Sequence, residues 1–97
     1  MAYARLKVLK MEGDDIDGYI AKFEDLVAQA EWERTASGTV EVFKRGLPYW
    51  LAFRILNNRN FVPIGMEGWQ HAAREEIERA ALIMATLGDR KRNNDGT

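Results

Sequence analysis

One stretch constrains this chain more than any other: Met11 to Glu31, MEGDDIDGYIAKFEDLVAQAE, which reads as a turn, a cap and an amphipathic helix. Gly13 permits a turn conformation that a residue with a Cβ resists, and Asp14 or Asp15 can accept hydrogen bonds from the first free N–H groups of a helix. The aspartates also suit the positive end of that helix. From there Ile16, Tyr19, Ile20, Phe23, Leu26, Val27 and Ala30 recur at three- and four-residue steps, while Asp17, Lys22, Glu24, Asp25 and Gln29 fall on the opposite side. This is one buried stripe and one wet face. Gly18 sits inside the pattern at a cost of roughly 1 kcal/mol relative to alanine, which packing of the stripe must offset.

The segments on either side read as further helices. Ala2 to Lys10 carries Tyr3, Leu6, Val8 and Leu9 among Arg5, Lys7 and Lys10, which fits a short helix better than an extended lead-in. Beyond Trp32-Glu33-Arg34-Thr35, a helix is expected from about Ala36 to Arg45, with Ser37 or Thr39 as its N-cap and Val40, Phe43 and Leu47 facing inward. Gly46 is expected to end it in a left-handed conformation, with Lys44 and Arg45 suiting its negative end. Pro48 fits the first turn of the next helix, Tyr49 to Asn57, because its missing N–H would have no partner there. That helix is apolar nearly all round, interrupted only by Arg54. Either it lies deep between neighbouring helices, the favoured reading, or the face bearing Trp50 and Phe53 meets another subunit.

Asn57-Asn58-Arg59-Asn60 is a loop by composition, and Phe61, Val62 and Ile64 are expected to pin it to the core. A last helix from about Met66 to Leu87 has Trp69, Ala73, Ile77, Ala80, Met84 and Leu87 as its inner stripe and Gly88 as its cap. Residues 89–97 lack an apolar anchor and read as a disordered tail, leaving one domain over 1–88. The expected fold is all-α, a compact bundle of four to five helices.

Order and spacing along the chain carry a family resemblance. Leu6-x-x-Leu9-Lys10-Met11-x-Gly13, followed by Asp15-Ile16-x-x-Tyr19-x-x-x-Phe23-x-x-Leu26, resembles the strand-turn-helix segment of retroelement Gag capsid C-terminal domains, called the major homology region in retroviruses. Phe43-x-x-Gly46-Leu47 resembles the motif after the same helix in gypsy-type long-terminal-repeat retrotransposon Gag proteins, and Trp69 on a late helix fits as well. The resemblance covers about residues 5 to 88, and marks Gly13, Asp15, Ile16, Tyr19, Phe23 and Leu26 as its structural motif. One departure is Met11, where the family usually has a Gln in a buried hydrogen-bond network; Lys22, Glu12 and the aspartates supply only part of such a network. The turn is therefore expected to be held mainly by packing.

Composition narrows the function classes. No cysteine means no disulfide framework, no thiol nucleophile and no zinc knuckle, which fits a reducing compartment such as the cytoplasm. The net charge of −1, with acids and bases mixed, provides no long basic surface for gripping phosphates. Arg90-Lys91-Arg92 neutralises too little phosphate to hold RNA strongly alone. No apolar run approaches the roughly 20 residues that cross a bilayer, so no membrane partner is expected.

Candidate chemistry is thin. His71 has no obvious second metal ligand in helical register and reads as a surface or boundary histidine. Arg74-Glu75-Glu76-x-Glu78-Arg79 has the spacing of a solvated helix face with weak ion pairs, and Asp14, Asp15 and Asp17 read as capping groups. Thr35, Ser37 and Thr39 have no histidine close in sequence to activate them, and no phosphate-binding glycine loop occurs. No enzymatic activity, cofactor, metal or small-molecule substrate is expected.

What the resemblance implies is self-association: a structural domain forming homodimer or lattice contacts in an intracellular virus-like particle, beside the rest of Gag and only indirectly with RNA. An N-terminal capsid domain would precede it in such a protein. Contacts in the family commonly involve the helix after the central one, which makes Val40, Glu41 and Lys44 expected contact residues, Phe43 being claimed by the core. Trp32, Trp50 and Phe53 are second candidates on physical grounds, as large apolar groups beyond what the core stripe requires. The alternative is a monomeric protein- or peptide-binding module of the domesticated-Gag type. A helix-turn-helix DNA reader built on Gly46-Leu47-Pro48 is disfavoured, because the aromatic helix after that joint is a poor reader of base edges.

Overall fold

The computed structural model describes residues 2–57 and 62–95, with side chains described for 4–57 and 62–87. The described residues are all-α, with five helices in order: α1 (Ala2–Val8), α2 (Ile16–Gln29), α3 (Ser37–Arg45), α4 (Tyr49–Asn57) and α5 (Gly65–Asp95). α1 packs on α2, and α2, α3 and α4 each pack on α5.

The turn before α2 forms as its residues dictate. Gly13 adopts φ +52°, and Asp15 is the cap, its Oδ1 accepting the Gly18 N–H at 2.9 Å. Gly18 has a reason the periodicity did not supply: a Cβ there would overlap the Asp15 carboxylate in its capping position. Ile16, Tyr19, Ile20, Phe23, Leu26 and Val27 are all buried, so the predicted stripe is the core stripe. The helix closes with the Trp32 N–H on the Val27 carbonyl and Glu31 at φ +59°, a left-handed close made without glycine.

Gly46 does not take the left-handed conformation expected of it. Its φ is −79°, and the reason for glycine is close approach: a Cβ would overlap the Tyr19 hydroxyl and stand 2.8 Å from the Leu9 carbonyl oxygen. The α1–α2 connection is pressed against the end of α3, and two donors from it and one from α2 reach carbonyls of its last residues and cap. Met11 N–H donates to Gly46 O at 2.9 Å, Tyr19 Oη to Phe43 O at 2.7 Å, and the Lys10 ammonium to Arg45 O at 3.1 Å. The turn at Met11 is thus held by hydrogen bonds as well as by packing. At the other end of α3 neither Ser37 nor Thr39 is the cap: Ala36 occupies that position without a side-chain bond, and the Thr39 hydroxyl donates to Glu33 O at 2.7 Å.

Tyr19, Phe23 and Phe43 form the aromatic centre of the core, Phe23 meeting Phe43 edge-on at 5.2 Å between ring centroids. Burial pushes the Tyr19 phenol well above its ordinary pKa. Leu6, Met11, Leu47, Leu51, Ile55, Met66 and Trp69 complete the shell around it. A polar strap ties the α2–α3 loop down: Arg34 Nε meets Glu24 at 2.6 Å, its Nη2 meets Glu67 at 2.7 Å, and Gln70 Nε2 donates to Glu24 at 2.9 Å.

The loop before α5 is not pinned as expected. Val62 and Ile64 are exposed, Phe61 lies outside the described residues, and Pro63 packs against Gly68 instead. α5 is longer than predicted, passing Gly88 without a cap and reaching Asp95, so that 89–95 extends the helix rather than forming a separate tail. One glycine costs about 1 kcal/mol in a helix, no proline follows, and the basic run suits a C-terminal end. At 31 residues it is about 46 Å long, and the molecule is correspondingly drawn out to 58 × 30 × 16 Å. Its radius of gyration of 16.1 Å exceeds the ~12.5 Å of a spherical domain of this length. The inner stripe is buried through Ala73 and half-buried at Ile77 and Ala80, but Met84 and Leu87, expected inside, are exposed.

Candidate self-association surface

α4 is where the favoured sequence reading and the structure part. Only Leu51 and Ile55 are buried, and Tyr49, Trp50, Phe53 and Leu56 line the outside, with Trp50 39% and Phe53 51% exposed. The helix packs on α5, and among the described residues its outer apolar side chains stay exposed. Tyr49 and Phe53, one turn apart, stack with ring centroids 6.0 Å from each other.

Arg54, the interruption in that apolar helix, is explained by Glu76. The spacing of this carboxylate predicts a solvated face, yet it is fully buried, with Arg54 Nε at 3.3 Å and Arg79 Nη1 at 3.7 Å from its oxygens. A buried charge requires a partner, and α4 supplies one across the helix–helix seam. The pair joins α4 to α5 on the helix that carries the aromatic face. Nothing in either helix alone signals it.

The candidates from α3 are arranged differently. Val40 is buried and belongs to the core. Glu41 is exposed and accepts from the Lys44 ammonium at 2.7 Å; that hydrogen bond and the lysine's charge hold its carboxyl below the usual range. Lys44 also sits 4.9 Å above the Trp69 ring. The outward positions of α3 are Ser37, Gly38, Glu41 and Arg45, none of them apolar. Trp32 is half-buried against the core. The structure brings Trp50 and Phe53 onto one face and places Val40, Glu41 and Lys44 around a separate cleft with Trp69.

A second exposed apolar region lies where the periodicity predicts core. Leu82, Ile83, Met84 and Leu87 on the outer part of α5 are 40–69% exposed, and Ile83 and Met84 line a cleft of about 310 Å³ with Trp50, Arg54, Ala80 and Ala81. Its signal was in the sequence: from Ala80 to Leu87 the helix carries no charge on any side.

Two further charged pairs lie on the surface. Asp17 accepts from Arg74 at 2.9 Å, and His71 is exposed beside Glu75 at 3.4 Å. Among the described residues no three His, Asp or Glu side chains stand together as a possible metal site, and no helix is long and apolar enough to cross a membrane. Set against known proteins, the chain matches no family model, no curated protein and no solved structure.

Proposed function

We propose that this chain is a structural self-association domain of a retrotransposon Gag capsid protein, supplying dimer or lattice contacts within a virus-like particle in the cytoplasm. The reading joins the resemblance of the Gly13–Leu26 and Phe43–Leu47 segments to one structural observation, the uncovered aromatic face of α4. Half-exposed Trp and Phe side chains on one face are the residue types that supply most of the energy at protein interfaces. The domain does no chemistry, and RNA is reached only through the rest of Gag.

Solution mass by light scattering, over a wide concentration range and at two salt concentrations, tests the proposal. A mass rising from monomer to dimer or beyond, with little salt dependence, is the expected result for an apolar contact. A monomer at every concentration would overturn it. The second reading, a monomeric peptide-binding module of the domesticated-Gag type, draws on a groove of about 500 Å³ between α1 and α2 whose lining joins Val8, Leu9 and Leu26 to charges of both signs, Arg5 and Lys22 with Glu12 and Asp25. Retention of an apolar peptide by a strict monomer is the outcome that favours it.

A further inference from the structure

The stripe that α5 buries does not stop where the body of the molecule stops. Met66, Trp69, Ala73, Ile77, Ala80, Met84 and Leu87 follow one another at three- and four-residue steps along a single face. The first three are buried under the other helices, and the last two are more than half exposed or at half exposure, 68% and 50%. Leu82, on the other side of the same turns, is 69% exposed. A helix apolar on every side needs cover on more than one of them. Together with Trp50 and Phe53, these side chains present several hundred Å² of apolar surface, the scale of the ~800 Å² that each partner of a specific interface loses.

We propose that this outer part of α5 pairs with the same segment of a second copy, antiparallel, about a two-fold axis between Ile83 and Met84. This rests on the self-association reading and specifies its geometry.

Size selects the direction. Ala80 and Leu87 lie equally far from the axis on the same stripe, so the small residue of each copy faces the large one of the other, and Ile83 faces Met84. The cleft of about 310 Å³ beside Trp50 and Arg54 opens on this same stripe and can receive a side chain from the second helix. Such a contact is isologous and closes after two copies.

The chain contains no cysteine, so single introduced thiols report the register without background. Met84→Cys should cross-link to itself under mild oxidation. Ala80→Cys and Leu87→Cys should cross-link to each other when mixed but not to themselves, because antiparallel pairing separates like positions by ~10 Å along the axis, beyond disulfide reach. Ala80→Cys and Leu87→Cys each linking to itself would overturn the proposal in favour of a parallel bundle. The double change Ile83→Lys with Met84→Lys, at exposed positions where the helical circular dichroism should be unchanged, should raise the dimer Kd at least tenfold. A dimer indifferent to it overturns this geometry and leaves the self-association reading standing. A native chain that never dimerises overturns both.

Discussion

Two aromatic clusters in this molecule contain the same kinds of ring and have opposite fates. Tyr19, Phe23 and Phe43 meet at 5.2–6.0 Å in the centre, with every ring buried and the one hydroxyl bonded. Tyr49 and Phe53 meet at 6.0 Å on the outside of α4, with Trp50 beside them, and all three are exposed. What separates the clusters is coverage. The first is enclosed by α1, α3 and the α1–α2 turn, whose donors also close the end of α3; the second has α5 on one side and, among the described residues, stays exposed on the other. Rings in the first cluster should therefore set the stability of the monomer, and rings in the second should act only when another copy arrives.

The largest expected effect follows from the enclosed cluster. Phe43→Ala removes a fully buried ring and should lower unfolding free energy by about 3–5 kcal/mol, read as the shift of a urea midpoint at constant m-value. A loss below ~1 kcal/mol would mean that the centre is not packed as described. Gly46→Ala comes next. The added methyl meets the Tyr19 hydroxyl and the Leu9 backbone oxygen, and the backbone atom cannot rotate away, so a loss of about 2–3 kcal/mol is expected. An equally stable Gly46→Ala variant would show that the α1–α2 turn does not press on the end of α3.

Gly46 also marks where local sequence stops being informative. Gly13, Asp15 and the stripe of α2 were legible because each is decided by neighbours within a turn or two: a positive φ, a free N–H, a helical repeat. Gly46 is decided by Tyr19, on a different helix, and a C-terminal glycine has a commoner local explanation that happens not to apply here. Glu76 and Arg54 are alike in this, each an anomaly on its own helix until the other is placed beside it. In the candidate surface, periodicity identified which faces of α4 and α5 are apolar. It carried no information on how far the covering helices reach, and that decides whether Trp50, Met84 and Leu87 are core or surface.

Smaller effects come from the hydroxyl that joins the enclosed cluster to α3. Tyr19→Phe removes its bond to Phe43 O, an oxygen that keeps the Gly46 N–H as a partner, so the loss should be about 1 kcal/mol. The same group makes stability depend on alkaline pH. Burial raises the folded pKa of Tyr19 above the value of about 10 that the unfolded chain retains, so the unfolded state loses the proton first. The associated stability is complete below pH ~10 and falls as pH rises through that value, by up to about 1.4 kcal/mol per unit. Urea midpoints measured on either side of pH ~10 should converge for the native chain and Tyr19→Phe as the pH climbs. A constant gap between the two would place the phenol in contact with water.

The smallest effect on folding belongs to the open cluster, and there the contrast is sharpest. Phe53→Ala gives up contacts on one side of a ring that is already 51% exposed, and alanine returns about 0.5 kcal/mol of helix propensity, so the monomer should change by no more than ~0.5 kcal/mol. In self-association the same substitution removes an exposed aromatic from the α4 face proposed to meet a second copy, and a loss of about 1.4 kcal/mol there is a tenfold rise in Kd. Equilibrium unfolding at low concentration and light scattering at high concentration separate the two quantities on one sample. A variant that unfolds easily but associates normally would place Phe53 with the enclosed cluster. One that unfolds normally and stays monomeric would show that an aromatic pair left uncovered by its own chain is completed by another.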